Sequence, residues 1–200
     1  MVILYQAMVK SIFLIIFVFT TGSIRAQFTV NIQWQNSNIG YTGDTIYYDT
    51  DRKLIWNDFK GRPDAASPAA AITESGFGYR MSMNSYNNRT TVNITVFCYF
   101  NKNKSWVKKG MKNNYALLHE QHHFDITYIN TCLFIKKLME TKFNRSNYNT
   151  LLEQINNQYY NALTKMQNDY DGETANGRIE PMQLLWNKKI DQQLATLITN

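Results

Sequence analysis

Histidine, proline and cysteine are all scarce in this chain of 200 residues, at three, three and two copies, beside nine glycines. With so few prolines and glycines, no Pro/Gly-rich linker divides the sequence after its first 26 residues, and there is no internal repeat or low-complexity stretch. The two cysteines, Cys98 and Cys132, allow at most one disulfide; in an oxidising compartment they either pair or stay as two buried thiols. The net charge is +6, from 21 Lys and Arg against 15 Asp and Glu. The basic residues are scattered, apart from Lys102, Lys104, Lys108, Lys109 and Lys112, which read as a solvated loop rather than a nucleic-acid patch. No nucleic-acid partner is expected.

The apolar core of the N-terminus, Ile12 to Phe19, is far shorter than the roughly 20 residues that cross a bilayer. Lys10 precedes an apolar stretch from Ser11 to Thr21, and Ile24-Arg25-Ala26 ends in a small residue before Gln27. That order is the layout of a secretory signal peptide cleaved after Ala26. With no cysteine near the cleavage point, a lipoprotein anchor is not expected. The expectation is a protein secreted or released into the periplasm, with no stable membrane anchor once the signal is cut. Residues 27–200 have the length of a single domain with its own core, and a net charge of about +4 once Lys10 and Arg25 are gone.

The first half of that domain patterns as strands. Phe28, Val30 and Ile32 alternate with polar neighbours, Ile46-Tyr47-Tyr48 forms a second short strand, and Phe77, Tyr79, Met81 and Met83 a third. A loop from Asp58 to Ser75 is punctuated by Gly61, Pro63 and Pro68. Val92, Ile94, Val96, Cys98 and Phe100 line one face of the clearest strand, Thr90 to Phe100, after an Asn87-Asn88 hairpin turn. An antiparallel meander is the economical arrangement. After Gly110 the period lengthens. Tyr115, Leu118, His122, Ile126, Ile129 and Leu133 predict a long helix. Tyr148 to Met166 predict a second, ending about Tyr170, and a third starts near Pro181 with Trp186 on its apolar stripe. Strands followed by helices indicate an α+β domain: N-terminal antiparallel strands, then a helical half.

All three histidines fall in one window of five residues, His119-Glu120-Gln121-His122-His123, an H-E-x-x-H motif in mid-helix. Residues four apart share a helix face, so His119 and His123 can both reach one Zn²⁺. Glu120 then projects beside the metal's open side, where it can take a proton from a water whose pKa zinc lowers from about 15.7 toward roughly 7. His122 could compete as a ligand, but motif geometry leaves it to pack or hydrogen-bond. With no further histidine, the third ligand must be a carboxylate. Asp125 is two residues past His123 and faces elsewhere, fit for a structural hydrogen bond or for a contact to a ligand histidine; Glu140 and Glu153 read as solvated helix positions. Acids cluster at Tyr170-Asp171-Gly172-Glu173-Thr174, read as a helix break where Asp171 or Glu173 could return to the metal. Glu173 is preferred, with Asp171 the alternative. Tyr170 is a candidate oxyanion partner. Trp56 and Trp106 suit core packing or a hairpin clasp.

These residues resemble a bacterial family of secreted zinc-dependent proteases, zincin-like and classed as a domain of unknown function. The likeness spans most of the domain in four blocks: Trp56-Asn57-Asp58-Phe59-Lys60-Gly61, Ala70 to Gly76, Ser105-Trp106-Val107, and Leu117 to Ile126. Tyr170 to Thr174, with Gln183, Trp186 and Ile190, is similar to that family's C-terminal signature. One departure concerns Asn176, where members of the family often carry a histidine. The resemblance implies a zinc-dependent hydrolase acting on a peptide or protein substrate, with Glu120 as general base, Zn²⁺ as cofactor and His119 and His123 as ligands. The alternatives are a non-catalytic exported protein, in which a metal clips helices or aids binding of an envelope partner, and metal-dependent hydrolysis of a non-peptide substrate.

Overall fold

The computed structural model describes residues 27–35 and 43–198. The expected signal peptide, residues 1–26, lies outside them. Six strands come first: β1 (Gln27–Gln35), β2 (Thr45–Tyr47), β3 (Ala71–Ile72), β4 (Ser75–Tyr86), β5 (Arg89–Asn101) and β6 (Trp106–Val107). Three helices follow, α1 (Asn114–Glu140), α2 (Tyr148–Thr174) and α3 (Glu180–Ile198). The domain is α+β. Among the described residues no helix is long and apolar enough to cross a membrane.

Strand β5 organises the sheet. From Thr90 to Phe100 every second residue is buried, because successive side chains in a strand point to opposite faces and only one face meets the helices. The β4–β5 hairpin closes on Asn87 and Asn88, with φ of 46° and 60°. Two successive left-handed residues make the turn that matches strand twist, and asparagine tolerates that region better than other non-glycine residues. β4 pairs antiparallel with β5 along nearly its whole length. The opposite edge of β5 is shared by β2, antiparallel at Tyr99 to Asn101, and β1, which pairs from Gln27↔Arg89 to Gln35↔Phe97. β1 runs parallel to β5, so the sheet is mixed and the expected all-antiparallel meander is corrected. Alternation of apolar residues is identical in both senses; the pairing sense is set by how the chain between residues 35 and 89 returns, which carries no local pattern.

Helix α1 lies between the sheet and the other two helices. Phe134 and Leu138 pack with Val92, Ile94 and Val96 of β5 and with Leu152 and Ile155 of α2. Phe124 joins Phe100, Tyr48, Leu54 and Phe59 in a second cluster, and Ile126 and Ile129 meet Leu163, Tyr170, Trp186, Ile190 and Leu194 in a third. Each buried Val, Leu or Ile in such clusters is worth about 1.5–3 kcal/mol over the exposed side chain. Being covered on two sides, α1 buries polar residues as well: Gln121, His122, Asp125, Thr127, Asn130 and Thr131. The single stripe expected for it therefore fits only in the middle, at His122, Ile126 and Ile129. Tyr115, Leu118 and Leu133 are exposed. Trp106 and Trp186 belong to the core, and Trp56 packs on Phe59 at 5.0 Å between ring centres. Both cysteines are free, Cys98 buried in β5 and Cys132 half-buried on α1.

Candidate metal centre

The centre is assembled from all three helices. Asn113 caps α1 by accepting a bond from the Ala116 amide at 2.8 Å, and two turns later His119 and His123 project on one face. Their rings stand edge to face, 4.8 Å apart. Their Nε2 atoms are 3.2 Å apart. Asp171, in the last turn of α2, brings its Oδ1 to 3.2 Å from His119 Nε2 and 3.0 Å from His123 Nε2. Three potential ligand atoms thus converge on one point.

The protons on the two imidazoles follow from the far sides of the rings. His119 Nδ1 lies 2.8 Å from Gln183 Oε1, and His123 Nδ1 lies 2.5 Å from Gln167 Oε1. Each glutamine is oriented by what its own amide NH₂ must donate to. Gln183 Nε2 donates to Tyr170 Oη and Asn187 Oδ1, both at 2.6 Å, and Gln167 Nε2 donates to the His123 carbonyl at 2.9 Å and to Thr127 Oγ1. Both amide oxygens therefore face the imidazoles and accept from Nδ1–H. Each ring thus turns its Nε2 toward Asp171 Oδ1. That oxygen is buried and accepts no well-formed hydrogen bond despite its two close nitrogens. Three potential ligand atoms meet at one point, where a proton or a metal cation would offset their mutual repulsion.

The electrostatics point the same way. Burial acts to lower the His123 pKa, but the bond to Asp171, the charges of Glu120 and Asp171 and the Gln167 contact outweigh it and raise it to about 9. For Asp171, burial acts to raise the pKa, and the two histidines overcome it, holding the carboxyl below its ordinary range. The site favours positive charge beside Asp171.

The residues also fit zinc. Zn²⁺ takes imidazole nitrogen and carboxylate oxygen at about 2.0–2.2 Å in tetrahedral sites, which sets ligand atoms roughly 3.3 Å from one another. The three observed separations, 3.0, 3.2 and 3.2 Å, lie close to that edge. Two histidines and one carboxylate, with a cavity beside them, correspond to an open site rather than a closed structural one.

Asp171, the alternative acid, stands beside the two histidines, and Glu173, the preferred one, does not. α2 does not break at Tyr170 but continues to Thr174. On a helix, residues two apart face different directions: Asp171 stands on the face of Gln167, while Glu173 accepts a bond from Trp186 Nε1 of α3 at 2.8 Å. Tyr170 also differs from its expected role. Its ring stacks on His119 at 4.6 Å and 21°, and its hydroxyl is buried against Gln183 and the His119 carbonyl, so it supports the ligand rather than facing the cavity. His122 and Asp125 behave as anticipated. His122 Nδ1 lies 3.1 Å from Asp125 Oδ2, and Asp125 Oδ1 accepts from Tyr48 Oη at 2.7 Å and Gln121 Nε2 at 2.8 Å. With the Leu54 amide donating to Gln121 Oε1, this network ties the opposite face of α1 to the loop after β2.

A cavity of about 370 Å³ opens over the centre. It has Ala69 to Thr73 as one wall and the turn Asn176-Gly177-Arg178 as the other. Thr73 Oγ1 donates to the Glu120 carbonyl and Ser75 Oγ pairs with Thr127 Oγ1, fixing the β3 side against α1. Glu120 lines the cavity with both histidines and Asp171; its Oε2 is buried and has no hydrogen-bond partner. The far wall approaches closely. Gly177 has a φ of +78°, and a Cβ there would stand 3.3 Å from His119 Nδ1, so conformation and space both favour glycine. Asn176 also lines the cavity, at the position where the resembled family often has histidine.

Gln167 and Gln183 were not anticipated as site residues. Gln167 had one legible signal, its position four residues before Asp171 on the same helix; Gln183 had none in spacing, since it reaches His119 only through the packing of α3 on α1. Comparison with family models, with curated proteins and with solved structures finds no match to this chain.

Proposed function

We propose that this chain is an exported zinc-dependent hydrolase of peptide or amide bonds, with His119, His123 and Asp171 holding the metal and Glu120 acting as general base. The family likeness in the sequence blocks belongs to this proposal. The observation that carries it is the convergence of the two Nε2 atoms and Asp171 Oδ1 beside a cavity that is also lined by Glu120, whose buried Oε2 has no hydrogen-bond partner. A buried carboxylate oxygen without a partner costs on the order of 1–3 kcal/mol or more; a role in moving a proton accounts for its retention.

Zinc held there would supply Lewis acidity, activating water and polarising the carbonyl under attack. The chain's own residues do the rest. Gln183 and Gln167 fix the tautomers and ring directions of the histidines. Glu120 accepts a proton as the water oxygen adds to the carbonyl carbon, then returns it to the departing nitrogen as the C–N bond breaks. The cavity walls would orient the substrate between β3 and the 176–178 turn. Three protein donors with space beside them favour this reading over a metal that merely clips the helices.

Glu120→Gln is the test. The purified chain is expected to carry about one zinc, measured by elemental analysis, and to cleave a quenched-fluorescence peptide mixture. The variant should keep the zinc and lose hydrolysis by at least 10²-fold, the lower range for a general base. Undiminished turnover in the variant removes Glu120 from the role, and a chain that takes up no zinc removes the metal centre.

A further inference from the structure

Among the described residues lining the cavity, Arg178 is the only lysine or arginine. It stands on the turn that forms the far wall, and that turn is firmly built. Ala175, Asn176 and Gly177 take successive positive φ values of 50°, 54° and 78°. The Asn176 amide donates to the Asp171 carbonyl at 2.8 Å and the Ile179 amide to the Thr174 carbonyl at 2.9 Å, closing the helix end. The Gly177 amide donates to the buried Thr174 Oγ1, and Tyr115 Oη donates to the Gly177 carbonyl at 2.6 Å. Arg178 Nε donates to the Ala175 carbonyl at 2.8 Å. This bond pins the guanidinium at its inner nitrogen and leaves the outer fork for another partner.

Charge bookkeeping then limits what that partner is. This step rests on the metal centre proposed above. A divalent cation is balanced by the two carboxylates of the cavity, Asp171 and Glu120, so the centre with its general base is neutral. Arg178 is not needed to offset either acid, and it forms no ion pair with them. Its charge is surplus, and a cavity with one surplus cation complements an anion. The guanidinium fork matches a carboxylate in two parallel hydrogen bonds. The small residues Ala69 and Ala70 on the facing wall leave room for a chain to lie across the cleft.

We infer that Arg178 is a specificity-determining residue that binds a carboxylate of the substrate close to the scissile amide, so that the preferred substrates are anionic peptides. The carboxylate belongs either to the peptide's C-terminus or to an acidic side chain; the recognising chemistry is the same.

The experiment uses the zinc-loaded native chain, whose Glu120 charge keeps the centre neutral, and fluorescein-labelled alanine-rich peptides, N-methylated along the backbone so that they resist hydrolysis, followed by anisotropy. One arm compares a free-acid with an amidated C-terminus; the other compares internal Glu with Gln in amidated peptides. In one arm the carboxylate form should bind about tenfold more tightly, the worth of one charge-assisted pair. Adding Arg178→Gln should bring that ratio below twofold, and Arg178→Lys should restore part of it. Equal affinities in both arms overturn the assignment, as does a preference that survives Arg178→Gln, because the carboxylate is then held elsewhere, by the metal itself. Zinc content of the same samples separates the two readings: a zinc-free chain fails the metal centre, whereas a zinc-loaded chain with no carboxylate preference fails only Arg178.

Discussion

A metal-binding imidazole is only as good as the group that holds its other nitrogen. Here that group is a glutamine for each histidine, and each glutamine is locked by acceptors of its own. Replacing Gln183 by Ala frees His119 to turn and leaves Tyr170 Oη without its donor; replacing Gln167 does the same for His123. Loss of such a supporting contact typically weakens metal binding 10–100-fold. Each variant should lower zinc affinity by about that factor in competition with a fluorescent chelator, with helix content unchanged by circular dichroism. An unchanged affinity in both would mean that the rings are held by packing on Tyr170 alone. The difference between Asp171 and Glu173 is one of placement at the same level. Both acids were visible in the sequence, but choosing between them needed the phase of α2, and Gly172 suggested a break that does not occur. Gly172 instead sits on an exposed helix surface where its missing side chain costs little contact.

Among the elements, the ones that read cleanly from sequence were those with one buried face. β5 alternates as expected because one of its faces meets the helices along its whole length, and the Asn87-Asn88 turn was legible from residue type. That turn also carries a stability prediction. Asn88 at φ 60° adopts a conformation that glycine enters without the Cβ penalty. Asn88→Gly should stabilise the domain by about 0.5 kcal/mol, offset in part by the greater freedom glycine has when unfolded; urea unfolding would detect this as a higher midpoint at constant slope. A lower midpoint would show that the Asn88 side chain contributes more than its backbone conformation costs. α1 and β1 were harder to read. α1 has two partners and so lacks a single stripe. β1 pairs with a strand far along the sequence, in a sense that its own alternation does not encode.

The proposed centre draws on all three helices, so zinc bound there would be coupled to folding. His119 and His123 come from α1, Asp171 from α2, and the Gln183 support from α3. In the unfolded chain Asp171 is separated from the histidines by about fifty residues, and only the native packing gathers the full donor set. A ligand that binds the folded state alone stabilises it by RT ln(1 + [L]/Kd), about 2.7 kcal/mol at a hundredfold excess over Kd. For a domain of this size each kcal/mol moves the midpoint by roughly 2–4 °C. Zinc at that level should therefore raise Tm by about 5–10 °C over the chelator-treated chain, measured by calorimetry. Glu120→Gln should show a similar rise, since Glu120 is not assigned as a ligand, whereas Asp171→Asn should lose most of it. Glu173→Gln separates the two acids: it should keep the zinc-dependent rise even if its own Tm drops through the weakened bond to Trp186. If Glu173→Gln abolishes the rise and Asp171→Asn does not, the ligand assignment is reversed. The end of α2 would then have to repack when the metal binds, because the position of Glu173 against Trp186 is incompatible with a place beside the histidines.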